Sequence, residues 1–208
     1  MTPAPIILCL ASKRTSGGSS AVPASSCPPV GTTGAAALYA DSWFNPWTYD
    51  GWEQPGAGAP DDFTGVENAY GAPDSTSWVA YIAPEPENPF DAAVGFGLDA
   101  YTPEYPACAQ AITGGTVEIA FTDLSGSGSV SSLVGAALLI DAGNTSVYLG
   151  ATSGTGAQTI SVAIPAAWAQ QIAVGNSPGV VLGFYRDGAV ATVANIDAVT
   201  VTINWEMV

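Results

Sequence analysis

The chain has 208 residues, 18 acidic side chains against three basic ones, no histidine and a formal net charge of −15. The lack of histidine excludes Ser-His and Cys-His nucleophile pairs and His-ligated zinc. With only Lys13, Arg14 and Arg186 as cations, phosphate clamps and an electrostatic grip on nucleic acid or an anionic membrane are excluded too.

Hydrophobic residues make up 48% of the chain, so there is material for a core and the acidity is not that of a disordered polyacid. The rest is mostly Ser, Thr, Asn and Gly rather than charge. Such a surface suits subunits that pack against copies of themselves, because few charges must be desolvated.

Residues 1–35 read as an extended arm. Runs such as Ser16-Gly17-Gly18-Ser19-Ser20 and Cys27-Pro28-Pro29-Val30-Gly31 cannot bury enough apolar surface to fold alone. Within the arm, Ile6, Ile7, Leu8, Cys9 and Leu10 form a short, uncharged, β-prone run. Such a run can add a strand to a neighbour's sheet edge, or be a strand of its own domain. It is too short for the core of an export signal, and Lys13 and Arg14 follow it instead of preceding it. No cleaved signal and no membrane span are expected, so an extracellular product would leave by lysis or in a particle. Cys9, Cys27 and Cys108 contain no C-x-x-C spacing, which argues against zinc. One bridge plus a free thiol, and three reduced thiols, both remain open.

Residues 36–208 read as the folded domain. Ala36–Ala40, Ser77–Ile82 and Ala92–Leu98 are strand candidates, separated by aromatic, acidic and proline-rich loops within 41–110. Proline at that density, as in Ala83-Pro84-Glu85-Pro86-Glu87-Asn88-Pro89, blocks helices and central-strand pairing. From residue 114 the periodicity is plainer. Val117, Ile119 and Phe121 alternate with polar or small residues over Thr116–Thr122. Strands are expected over Leu133–Asp141, Asn144–Gly150, Gln158–Ile164, Val180–Arg186 and Asp197–Trp205, and a helix over Pro165–Val174, with proline in its first turn. Many short strands with Gly-rich turns imply an all-β fold, an antiparallel sandwich of jelly-roll type, with one short helix.

The densest local feature is Trp43, Phe44, Trp47, Tyr49 and Trp52, five aromatics within ten residues. They could stack on sugar faces, anchor a protein interface or plug one end of the sandwich. Asp61, Asp62, Glu67 and Asp74 are the calcium candidates, since hard cations take several loop oxygens; solvated loop carboxylates are the plain alternative, and no EF-hand spacing occurs. Asp50, Glu53, Asp61 or Glu67 could pair for glycoside hydrolysis. No other cofactor is implied.

Three stretches resemble jelly-roll or galactose-binding-like modules of tailed-phage and bacterial surface proteins. They are Glu67-Asn68-Ala69-Tyr70-Gly71-Ala72-Pro73-Asp74-Ser75-Thr76-Ser77-Trp78, Ile164-Pro165-Ala166-Ala167-Trp168 through Gly175-Asn176-Ser177-Pro178-Gly179-Val180-Val181-Leu182, and Asn195-Ile196-Asp197-Ala198-Val199-Thr200-Val201. The resemblance spans about residues 65–205 and carries no catalytic residue. Together with the arm, it implies a non-enzymatic accessory virion protein of a tailed bacteriophage, on the tail (minor tail, fibre or tip) or else a head decoration or spike. Its expected partners are copies of itself as a trimer, other virion proteins and a host surface glycan, with no nucleic acid and no membrane. The alternative is a carbohydrate-binding adhesion module using Trp43, Trp47, Tyr49 and Trp52.

Overall fold

The described residues of the computed structural model are 27–44, 63–64, 66–74, 78–82, 90–126, 132–154, 156–185 and 192–208. In chain order they form β1 (Thr33–Phe44), β2 (Phe63–Thr64), a 3-10 turn (Val66–Ala69), β3 (Trp78–Ile82), β4 (Phe90–Leu98), β5 (Gln110–Gly126) and β6 (Ser132–Ile140). A second 3-10 turn (Asp141–Gly143), β7 (Thr145–Gly154), β8 (Gly156–Pro165), α1 (Ala166–Ala173), β9 (Gly179–Tyr185) and β10 (Thr192–Met207) follow. The expected all-β antiparallel sandwich with one helix is observed, nearly closed into a barrel.

Alternation explains the first sheet. In β10, Val199, Val201, Ile203 and Trp205 are buried, while Thr200, Thr202 and Asn204 lie on the other face and are at least partly exposed. In β5, Val117, Ile119 and Phe121 are buried against them, and Ile160 and Ile164 of β8 complete the row. The order is β8–β5–β10. The far edge of β10 is shared: β3 pairs its residues 192–196 and β1 pairs residues 200–206, with β2 outside β3. β5 runs well beyond the expected Thr116–Thr122. Gly114 and Gly115 carry it past β8 and β10, where a Cβ on Gly115 would overlap the Thr202 carbonyl.

The second sheet runs β1–β4–β9–β6–β7. β1 therefore serves both sheets. Thr33–Tyr39 pair with β10, Ala40–Phe44 pair with β4, and the register slips between Ala40 and Ser42, a bulge that bends the strand from one layer to the other. Val94, Phe96, Leu138, Val180 and Leu182 face the first sheet's buried row across a single main core.

The helix starts one residue later than expected, because Pro165 is extended (φ −69°, ψ 160°) and caps it. Ala169 and Ile172 are its buried residues. It ends in a glycine cap: Gly175 takes φ +76° and its N–H donates to the Ile172 carbonyl, while the Asn176 N–H donates to that of Gln171. The following stretch docks on the second sheet, with the Ser177 hydroxyl donating to the Leu139 carbonyl and the Ala142 N–H to that of Asn176.

The body also takes in residues read with the arm. Thr33, Gly34 and Ala35 pair with Glu206, Trp205 and Asn204, the Gly31 N–H donates to the Met207 carbonyl, and Cys27 is disulfide-bonded to Cys108 (Cα–Cα 5.7 Å). The Ile6, Ile7, Leu8 and Leu10 run and Cys9 lie outside the described residues.

Candidate functional site

Of the aromatic stretch, Trp43 and Phe44 are placed; Trp47, Tyr49 and Trp52 lie outside the described residues. Trp43 stands opposite Phe96 and Phe44 opposite Gly95. Directly opposed strand residues share a face and successive ones alternate, so the two aromatics point to opposite sides of the second sheet. Trp43 is 45% exposed. Phe44 is half-buried, packed on Ala93, Leu139 and Val181 on the outer face. Gly95 makes room for it, since any Cβ there would enter the Phe44 ring.

The acidic candidates are dispersed. Glu67 is exposed in the first 3-10 turn. The Asp74 N–H donates to the carboxylate of Asp197 (3.2 Å), the one buried charged side chain among the described residues. That bond ties the segment 66–74 down onto β10, with Ala69 fully buried beneath it. Asp61 and Asp62 lie outside the described residues, and no group of three or more His, Cys, Asp or Glu among the described residues could hold a metal. Burial, reinforced by Glu67 and Asp41, pushes the Tyr70 phenol above its usual range.

A different region gathers more chemistry. The loop from Asp99 to Ala109 folds back beside the start of β1. The Asp99 carboxylate accepts the Tyr39 N–H (2.9 Å), the Cys108 N–H donates to the Tyr105 carbonyl, and Gln110 Nε2 donates to the same oxygen (2.9 Å). The Tyr105 ring meets the Trp205 indole edge-on, with centroids 5.8 Å apart. Next to Cys108 is a hollow lined by Tyr101, Pro103, Pro106, Gln110, Ile112 and Ala173. Tyr101 Oη and Gln110 Oε1 are both buried there without a hydrogen-bond partner, which is costly unless a further group meets them. Burial and then the nearby Glu104 raise the Tyr101 phenol. This region was missed in the sequence because cysteine pairing cannot be deduced from spacing; the tyrosines and prolines clustered in 101–110 were its only signal.

A second hollow lies on the outer face of the first sheet. Tyr39, Thr200 and Glu118 stand side by side across β1, β10 and β5, and Pro73, Ala120 and Ala198 complete the lining. The aromatic, the hydroxyl and the carboxylate form one cross-strand row above a floor of alanines.

No protein-family model matches the chain, and no curated protein matches it. Among solved structures, the chain is similar to the CBM22-1–GH10 modules of Clostridium thermocellum endo-1,4-beta-D-xylanase 10B, complexed with xylohexaose, at 12% identity and a TM-score of 0.28, over 61% of this chain and 24% of that one. It is also similar to the enzymatically active domain of tailspike protein 4 of bacteriophage CBA120, at 14% identity and a TM-score of 0.26, over 64% of this chain and 18% of that one. Both likenesses are weak and span less than a quarter of the other chain's length. No helix among the described residues is long and apolar enough to cross a membrane.

Proposed function

We propose that the chain is a non-enzymatic structural subunit of a tailed-phage virion, tail-associated as a minor tail, fibre or tip protein, with a head decoration or spike as the alternative position. Its partners are copies of itself, as a trimer, and other virion proteins, gripped through the N-terminal arm and the β-body. The observation that carries this reading is the Cys27–Cys108 bond. It nails the root of a Ser-, Pro- and Gly-rich segment to a rigid sandwich, and disulfides persist in oxidising surroundings, virion surfaces among them. Only 10% of the residues are charged, which leaves a surface with few charges to desolvate on assembly. Electron microscopy of lysate particles with an antibody to the body tests it. Label at a fixed position on heads or tails is expected; purified phage particles free of the protein would overturn the reading.

A second reading, a carbohydrate-binding adhesion module, is favoured by the Tyr39, Thr200 and Glu118 row and by the exposure of Trp43. A stacking ring beside hydroxyl and carboxylate acceptors suits a neutral sugar. A glycan-array signal that disappears in Tyr39→Ala or Trp43→Ala, with folding intact, would establish it. An unchanged signal in both would remove it.

A further inference from the structure

We propose that the hollow over Tyr39, Thr200 and Glu118 binds an organic ammonium group, carried as the free amine of a hexosamine or as a trimethylammonium head. This rests on the second reading above, in which the hollow is a binding site, and narrows its ligand to one that bears positive charge.

Size sets the first limit. The hollow holds about 220 Å³, less than the roughly 300–1,000 Å³ of a pocket that encloses a drug-sized molecule. One monosaccharide ring or one small head group suits that space. Ala120 and Ala198, paired across β5 and β10, form the floor. Pro73 forms an end wall, on the segment that the Asp74 N–H ties to Asp197.

Charge sets the second. Glu118 is exposed on the outer face of β5, and none of the described residues is Lys, Arg or His. Its carboxylate therefore has no ion-pair partner among the described residues, and when ionised it only accepts hydrogen bonds. Anionic ligands are repelled by this group and by the formal charge of −15 on the chain. A cation gains from both. A neutral sugar uses the carboxylate as an acceptor but takes less from its charge.

Geometry brings two attractions to one point. Tyr39 pairs with Thr200, and Thr200 with Glu118. The aromatic and the carboxylate thus stand on strands either side of β10, about 10 Å apart at roughly 4.8 Å per strand. A cation above Thr200 sits midway between them. There it is within the about 6 Å over which an aromatic ring draws positive charge to its face, and within reach of a glutamate side chain from β5. The Thr200 hydroxyl can accept a hydrogen bond from a primary ammonium, while the methyl groups of a quaternary one find the apolar floor and wall.

The test titrates the full chain with two pairs of ligands matched except in charge, and reads binding by saturation-transfer NMR. The pairs are glucosamine with N-acetylglucosamine, and choline with its uncharged carbon isostere, dimethylbutanol, in slightly acid buffer that keeps the amine protonated. At least one cation is expected to bind about tenfold or more tightly than its neutral counterpart. Preference confined to glucosamine assigns an amino sugar, and preference confined to choline assigns a trimethylammonium head. Glu118→Gln, which keeps the side chain's shape on an exposed face, should abolish the preference with the circular-dichroism melt unchanged. Equal binding within both pairs, a preference that survives Glu118→Gln, or no binding of either cation would overturn the proposal. Sugars bound equally, with no preference for choline, would retire this inference and leave the neutral-sugar reading standing. Choline bound with no sugar bound would keep the inference and retire the sugar reading.

Discussion

Gly34 lies directly beneath the indole of Trp205, its partner in the β1–β10 register. A Cβ at residue 34 would overlap the ring, and the ring cannot retreat because it is buried at 2% exposure with Tyr105 against its edge. Gly34→Ala is expected to destabilise the fold by about 1–3 kcal/mol, the usual range for overpacking. Pairing it with Trp205→Leu should recover part of that loss. Urea denaturation of the two single variants and the double variant measures the coupling, and strict additivity would show that the two residues do not compete for space.

The disulfide spans 81 residues of sequence, and closing so long a loop constrains the unfolded chain more than the folded one. Cys27→Ser or Cys108→Ser should cost about 2–5 kcal/mol. Matched denaturation curves with and without a reducing agent check this for the natural chain. Coincident curves would show that the bond contributes nothing to stability.

Alkaline pH should unfold the protein through its shielded phenols. The folded-state values of Tyr101 and Tyr70 are raised above 10.0, in each case first by burial and then by neighbouring carboxylates. Their contribution to stability is thus fully present below pH 10 and is lost as pH rises through the higher folded-state values. The melting temperature should fall above about pH 10, and less steeply in Tyr101→Phe. An identical slope in that variant would remove Tyr101 from the account.

Between β6 and β7, Asp141 and Ala142 both adopt left-handed backbone angles, φ 52° and 56°. Alanine has no side-chain hydrogen bond to offset the clash of its Cβ with the backbone there. Ala142→Gly should therefore raise stability, by about 0.5–1 kcal/mol, despite glycine's greater freedom in the unfolded chain. Thermal melts read the change; a loss would mean that the methyl group packs favourably.

Much of the sandwich was legible in the residues. The strands β6, β8 and β9 and the helix lie close to their expected bounds, because a period of two or of 3.6 is a local property of the chain, whereas β10 starts five residues before the expected Asp197. β2 escaped notice because two residues carry no period. β5 exceeds its expected bounds at both ends: Ser125 and Gly126 read as turn residues, and glycines at 114 and 115 interrupt the alternation, although a central strand flanked by two partners tolerates them where the neighbouring backbones come close. The candidate site was much less legible. Trp43 and Phe44 are adjacent in sequence and suggest one platform, yet strand geometry sends them to opposite faces.

The sequence by itself determined the class of fold, which faces of β5, β8 and β10 are buried, and the exclusion of histidine-dependent chemistry, since these follow from composition and near-neighbour pattern. Only the tertiary structure decided that Cys27 joins Cys108, that β1 bends between two sheets, and that Tyr101 and Gln110 bury unmet polar atoms beside one hollow. Each of these depends on which distant segments become neighbours. That choice is made by how the two sheets bury their apolar faces against each other, and no local spacing along the chain encodes it.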